Sequence, residues 1–115
     1  MHRIDTLLSH VWMVRTFLKH SSEAEEDEEL CEVYRTLYDY ILALGEPAKT
    51  NDSEQYLKTA HKKYSKLRAA MEKFCEIQPE VSAHTNFQMA ATSLRAAVEE
   101  IGAVLGKTPS PLGPG

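Results

Sequence analysis

The residues best equipped for chemistry are crowded into one short stretch. Glu23, Glu25, Glu26, Asp27, Glu28, Glu29 and Glu32 put seven carboxylates into ten positions. Further along, Lys58, Lys62, Lys63, Lys66, Arg68 and Lys73 supply the opposite charge. A calcium loop would need alternating Asp or Asn ligands and a turn glycine, which the acidic run lacks. A dinuclear iron centre in a helical bundle needs Glu-x-x-His on two helices and a glutamate on each of two others. No Glu-x-x-His occurs; the nearest candidates, His20 with Glu23 and Glu80 with His84, fall at an expected helix break and in a turn. No metal and no cofactor are expected. The charges read better as a pairing, with Lys66, Arg68 and Lys73 facing the carboxylates as solvated surface pairs, or as a charge-coded docking surface.

The other reactive side chains are dispersed. His10 and His61 flank apolar positions, and neither has a histidine four residues away to complete a zinc pair. Both are expected to be partly buried and hydrogen-bonded. Cys31 and Cys75 fall on the second and third helices. With Leu44 opposite Leu57, the two thiols are offset by roughly 7 Å along the helix axes, awkward for a disulfide. They are expected to be structural thiols. The glycines form no phosphate-cradling loop, and no nucleophile–base set stands out. Lys58, Lys62, Lys63 and Lys66, with Tyr56 and Tyr64 nearby, could touch nucleic-acid phosphates. The acidic segment and a formal net charge of −4 oppose that.

These residues must be positioned by helices. Apolar residues recur at three- and four-residue steps in four stretches, each of which makes one stripe on a helix. Ile4, Leu7, Val11, Val14 and Leu18 form the first, and Leu30, Tyr34, Leu37, Ile41 and Leu44 the second. Leu57, Ala60, Tyr64, Leu67, Met71 and Phe74 form the third, and Phe87, Ala91, Leu94, Val98, Ile101 and Leu105 the fourth.

Helix one is expected from about Asp5 to Lys19. Ser22 with Glu25 reads as a capping box that opens helix two inside the acidic run. Gly45 and Pro47 should end that helix after Leu44. Helix three should start at Asn51 or Asp52, span about 40 Å, and stop or kink at Pro79. Helix four carries a capping signature at Thr85–Gln88 and should end at Gly106. Residues 107–115 hold Pro111-Leu112-Gly113-Pro114 and other helix breakers, and are expected to be a flexible tail. Short connections favour antiparallel neighbours. The expected fold is therefore an all-α, up-down-up-down four-helix bundle over 1–106, with a Pro/Gly-rich tail over 107–115.

The apolar residues exceed what four seams require. Trp12, Met13 and Phe17 broaden the face of helix one; Tyr38, Tyr40 and Leu42 do the same on helix two. That surplus points to a non-enzymatic interaction or assembly module that self-associates and docks another protein. Trp12, Phe17, Glu25, Glu28, Glu29, Tyr38, Lys62 and Lys66 are the candidate contact residues. The alternatives are a metal or redox bundle using His10, His61 and helix-two carboxylates, or a nucleic-acid-associated bundle using the lysines of helix three. No apolar run is long enough to span a membrane, and the N-terminus is too polar for a signal peptide. A soluble cytoplasmic protein with reduced thiols is expected.

Overall fold

The computed structural model describes residues 1–107, which form four α-helices and one 3₁₀ turn; the described residues contain no strand. The helices are α1 (His2–Lys19), α2 (Glu28–Lys49), α3 (Ser53–Val81) and α4 (Thr85–Val104), with the 3₁₀ turn at Ser22–Glu25. Each helix packs against two others: α1 on α2 and α4, α3 on α2 and α4. One continuous core runs between them, as four amphipathic stripes require. The expected tail lies, from residue 108 onward, outside the described residues.

The start of α2 corrects the sequence reading. α2 does begin inside the acidic run, at Glu28, but Ser22 does not cap it. Instead Ser21 caps the 3₁₀ turn, its Oγ accepting the Ala24 N–H at 3.3 Å. Asp27 then caps α2, its Oδ1 accepting the Leu30 N–H at 3.0 Å. Ala24 is buried and its carbonyl accepts the Cys31 thiol at 3.1 Å. Burying Ala24 and engaging Asp27 thus outcompete the capping box. Asp27→Ala is expected to cost about 1 kcal/mol of stability, the usual value of an N-cap. A urea titration followed by circular dichroism checks it; no change would mean Asp27 is not the cap in solution.

Neither proline stops its helix. Pro47 lies in the last turn of α2, where its missing N–H forfeits one bond, to the Ala43 carbonyl, while the ring is buried. The helix ends beyond it in a Schellman motif. Asn51 takes the left-handed position (φ 57°), its N–H bonding Ala48 O, and the Asp52 N–H bonds Pro47 O at 2.8 Å. Asp52 turns at once to the next helix, its carboxylate accepting the Gln55 N–H at 3.0 Å. Pro79 is likewise absorbed by the last turn of α3, which runs on to Val81. His84, not Thr85, caps α4, its Nδ1 accepting the Asn86 N–H at 3.1 Å. Gly106 (φ 79°) closes α4 in a second Schellman motif, as its position suggested. Helix one begins at His2 rather than Asp5, because fully buried Ile4 anchors the first turn.

The stripes of α1 and α4 are buried as expected. On α2 the buried line is Leu30, Val33, Leu37, Tyr40 and Leu44, rotated from the expected one so that Tyr34 and Ile41 become its flank. Tyr40, read as surplus, is a core residue whose hydroxyl donates to Ala60 O at 3.0 Å. On α3 fully buried Tyr56 replaces Leu57, which is exposed. A tyrosine can lead a stripe when its hydroxyl finds a partner. Tyr56 donates to Asp5 of α1, and Tyr64 donates to Val98 O of α4 at 3.0 Å.

Candidate functional site

The predicted contact residues separate into several places. Trp12 and Tyr38 come together. Their rings lie 6.3 Å apart between α1 and α2, and both are partly exposed. The Arg15 guanidinium, one turn along from Trp12, stands 4.7 Å from the Trp12 ring centroid and 4.6 Å from that of Tyr38. A cation shared by two aromatic faces is held without a carboxylate. Its Nε is buried with no hydrogen-bond partner. The cluster is a surface feature built from the three residue types most enriched at interface hot spots.

Beside it runs an apolar groove of roughly 230 Å³ between α1 and α2. Trp12 and Leu8 form one wall, and Ile41, Leu44 and Ala48 the other. Gly45 opens the groove: a Cβ placed there would meet nothing within 4 Å. Tyr38, Ile41, Leu42 and Gly45 fall on one line of α2 by their three- and four-residue spacing. Leu42 is 61% exposed, so the line carries apolar surface away from the core. Gly45→Ala is expected to stabilise the fold by about 1 kcal/mol, since a helix prefers alanine and the site has room. A higher thermal midpoint is the readout; a lower one would mean that the open space is not real.

The remaining candidates go elsewhere. Phe17 is half-buried and packs edge-on against Phe87 of α4, with ring centroids 5.0 Å apart, so it closes the core instead of extending the surface cluster. Glu25 ends the 3₁₀ turn and lines a shallow depression with Glu23, Glu26, Asp27 and Glu80. Glu28 opens α2, exposed and outside every ion pair among the described residues. Lys62 is exposed on α3 in the same way.

Glu29 and Lys66 line one groove between α2 and α3 without pairing, and Glu32 and Lys73 line it too. Of the three cations expected to face the carboxylates, Lys73 alone among the described residues forms an ion pair with the acidic run, at 2.8 Å from Glu29. The carboxylate hydrogen bond and its charge hold the Lys73 ammonium above its ordinary pKa. Arg68 turns to Glu72 on its own helix at 3.1 Å.

One expectation about chemistry changes. His10 and His61 are both exposed, not partly buried, because each lies one step off its helix's buried stripe. Cys31 and Cys75 are free thiols, as expected. Among the described residues no three His, Cys, Asp or Glu side chains are grouped so as to hold a metal ion. No helix among them is long and apolar enough to cross a membrane.

The sequence reading missed Arg15, Ile41 and Gly45. The available signal was local: Trp12 and Arg15 are three apart and share a helix face. Gly45 was read as a terminator, which hid its place in a groove wall. Comparison with protein-family models, with curated proteins and with solved structures finds no match to the chain.

Proposed function

We propose that this chain is a non-enzymatic interaction module: an up-down-up-down antiparallel bundle that self-associates and docks a protein partner in the cytoplasm. The short links 50–52 and 82–84 support the topology, as do two cross-helix ties. Tyr40 bonds to Ala60 and Glu29 to Lys73, so residues later on α2 pair with residues earlier on α3. The two unpaired thiols support a reducing location.

The observation that carries the functional reading is the Trp12–Arg15–Tyr38 cluster beside the α1–α2 groove. Large aromatic rings with an arginine, fixed at the edge of an apolar groove, are costly to leave in water and suit an apolar segment of a partner protein. Sedimentation at several salt concentrations, with a photo-reactive residue at position 12 used in native extract, tests it. The expected result is a concentration-dependent oligomer and a specific protein adduct from position 12, lost in the Tyr38→Ser variant with helicity intact. A strict monomer yielding no adduct would overturn the proposal.

A further inference from the structure

We infer that the groove between α2 and α3 joins two copies of this chain, each laying its acidic wall over the basic wall of the other. The inference rests on the self-association proposed above and names the surface responsible. The groove consists of two adjoining depressions of roughly 280 and 190 Å³ that share Thr36 and Lys66. α2 supplies Glu29, Glu32 and Asp39 to one wall; α3 supplies Lys63, Lys66 and Lys73 to the other. Between them the lining is small or apolar, with Val33, Ala69 and Ala70 leaving space for side chains from outside.

Most of these charges are uncommitted. Lys73 is tied within its own chain to Glu29 and Glu76. Glu32, Asp39, Lys63 and Lys66 are exposed and form no ion pair among the described residues. A face of one sign would require a partner of the other sign. This face carries both signs on opposite walls, which makes it complementary to itself.

The symmetry follows from the charges. A two-fold axis along the groove turns α2 of each copy onto α3 of the other and keeps every residue at its own level. Asp39 and Lys63 line the same end of the groove, so each meets its opposite on the second copy. Glu29 and Glu32 share the other end with Lys66 and Lys73, and cross in the same way. An axis across the groove would stack α2 on α2, carboxylates against carboxylates, and like charges oppose it.

Two variants of the full chain test the arrangement: Glu32→Lys with Asp39→Lys, and Lys63→Glu with Lys66→Glu. Both spare the Glu29–Lys73 bridge. In sedimentation experiments each variant alone should associate about tenfold or more weakly than wild type, through like-charge repulsion. An equimolar mixture should recover a heterodimer, because the reversed walls match. Circular dichroism verifies the helices. Should a variant lose its helical signal, the wild type decides: association that fails to weaken between about 0.05 and 0.5 M salt overturns the inference. So does association untouched by either variant, or loss without recovery on mixing; each leaves self-association through another face standing. A wild type that is monomeric at every concentration removes both readings.

Discussion

Gly102→Ala is expected to destabilise the fold by about 2 kcal/mol, roughly a 10 °C fall in midpoint, against the ordinary trend for a helical glycine. In an open helix alanine gains about 1 kcal/mol over glycine. Gly102, however, is where α4 lets a tyrosine of α3 approach. A Cβ there would strike the Tyr64 hydroxyl and stand 2.8 Å from its Cζ. The ring cannot swing freely: it is buried, and its hydroxyl donates to Val98 O at 3.0 Å. The Lys107 carbonyl, 3.3 Å from the same Cβ, closes another side. Relief must come by parting α3 from α4 or by breaking the tyrosine's hydrogen bond, and either costs more than the helix gains. Tyr64→Phe removes the struck oxygen, so the double variant should recover part of the loss, with a coupling of about 1 kcal/mol. Chemical denaturation of the four proteins in the cycle measures it. Strictly additive effects would show that the close approach does not constrain the fold. Gly45→Ala, predicted to stabilise, is the matched control, since the two glycines differ in what surrounds them.

Alkaline unfolding is the second large effect. Burial, then the neighbouring Tyr64, raise the Tyr40 hydroxyl well above the ordinary phenol range. Burial, then the hydrogen bond to Asp5 and its charge, do the same to Tyr56. Both hydroxyls donate in the folded state and would lose that role as phenolates. Because the folded pKa is raised, the stabilisation is fully present below the unfolded value near 10 and declines as pH rises above it. Each such tyrosine removes at most about 1.4 kcal/mol per pH unit, so the pair removes at most about 3. A domain near the lower end of the ordinary range, roughly 5 kcal/mol, should therefore unfold within a few units above pH 10. Absorbance at 295 nm and ellipticity at 222 nm, followed together, read both events. Tyr40 and Tyr56 should ionise only as helicity is lost. Tyrosine ionisation completed ahead of the helical transition would contradict this account.

How much of the site was legible depends on the range of the interaction. The surplus rings of α1 and α2 stood out because apolar residues off a buried stripe are visible in the spacing alone. Their convergence was not, since whether Trp12 meets Tyr38 depends on the rotation of α2. That rotation is set by Tyr40, a residue whose hydroxyl had to find the Ala60 carbonyl on another helix. Once Tyr40 turned inward, Tyr34 and Ile41 moved to the flank, and Tyr38, Leu42 and Gly45 moved to the surface. Phe17 shows the reverse error: its type suggested a contact surface, and Phe87 claimed it for the core.

Alone, the order of residues determined, for the described residues, an all-α fold and its four helices. It also narrowed the cap of α3 to Asn51 or Asp52 and placed the close of α4 at Gly106, because periodicity and capping act over one turn. The tertiary structure decided which side of α2 is inside, how far the helices run past Pro47 and Pro79, and which cation shares two rings. Those outcomes turn on burial against other helices. A missing hydrogen bond at a proline, or a tyrosine in a stripe, is tolerated only when distant residues supply the packing or the acceptor.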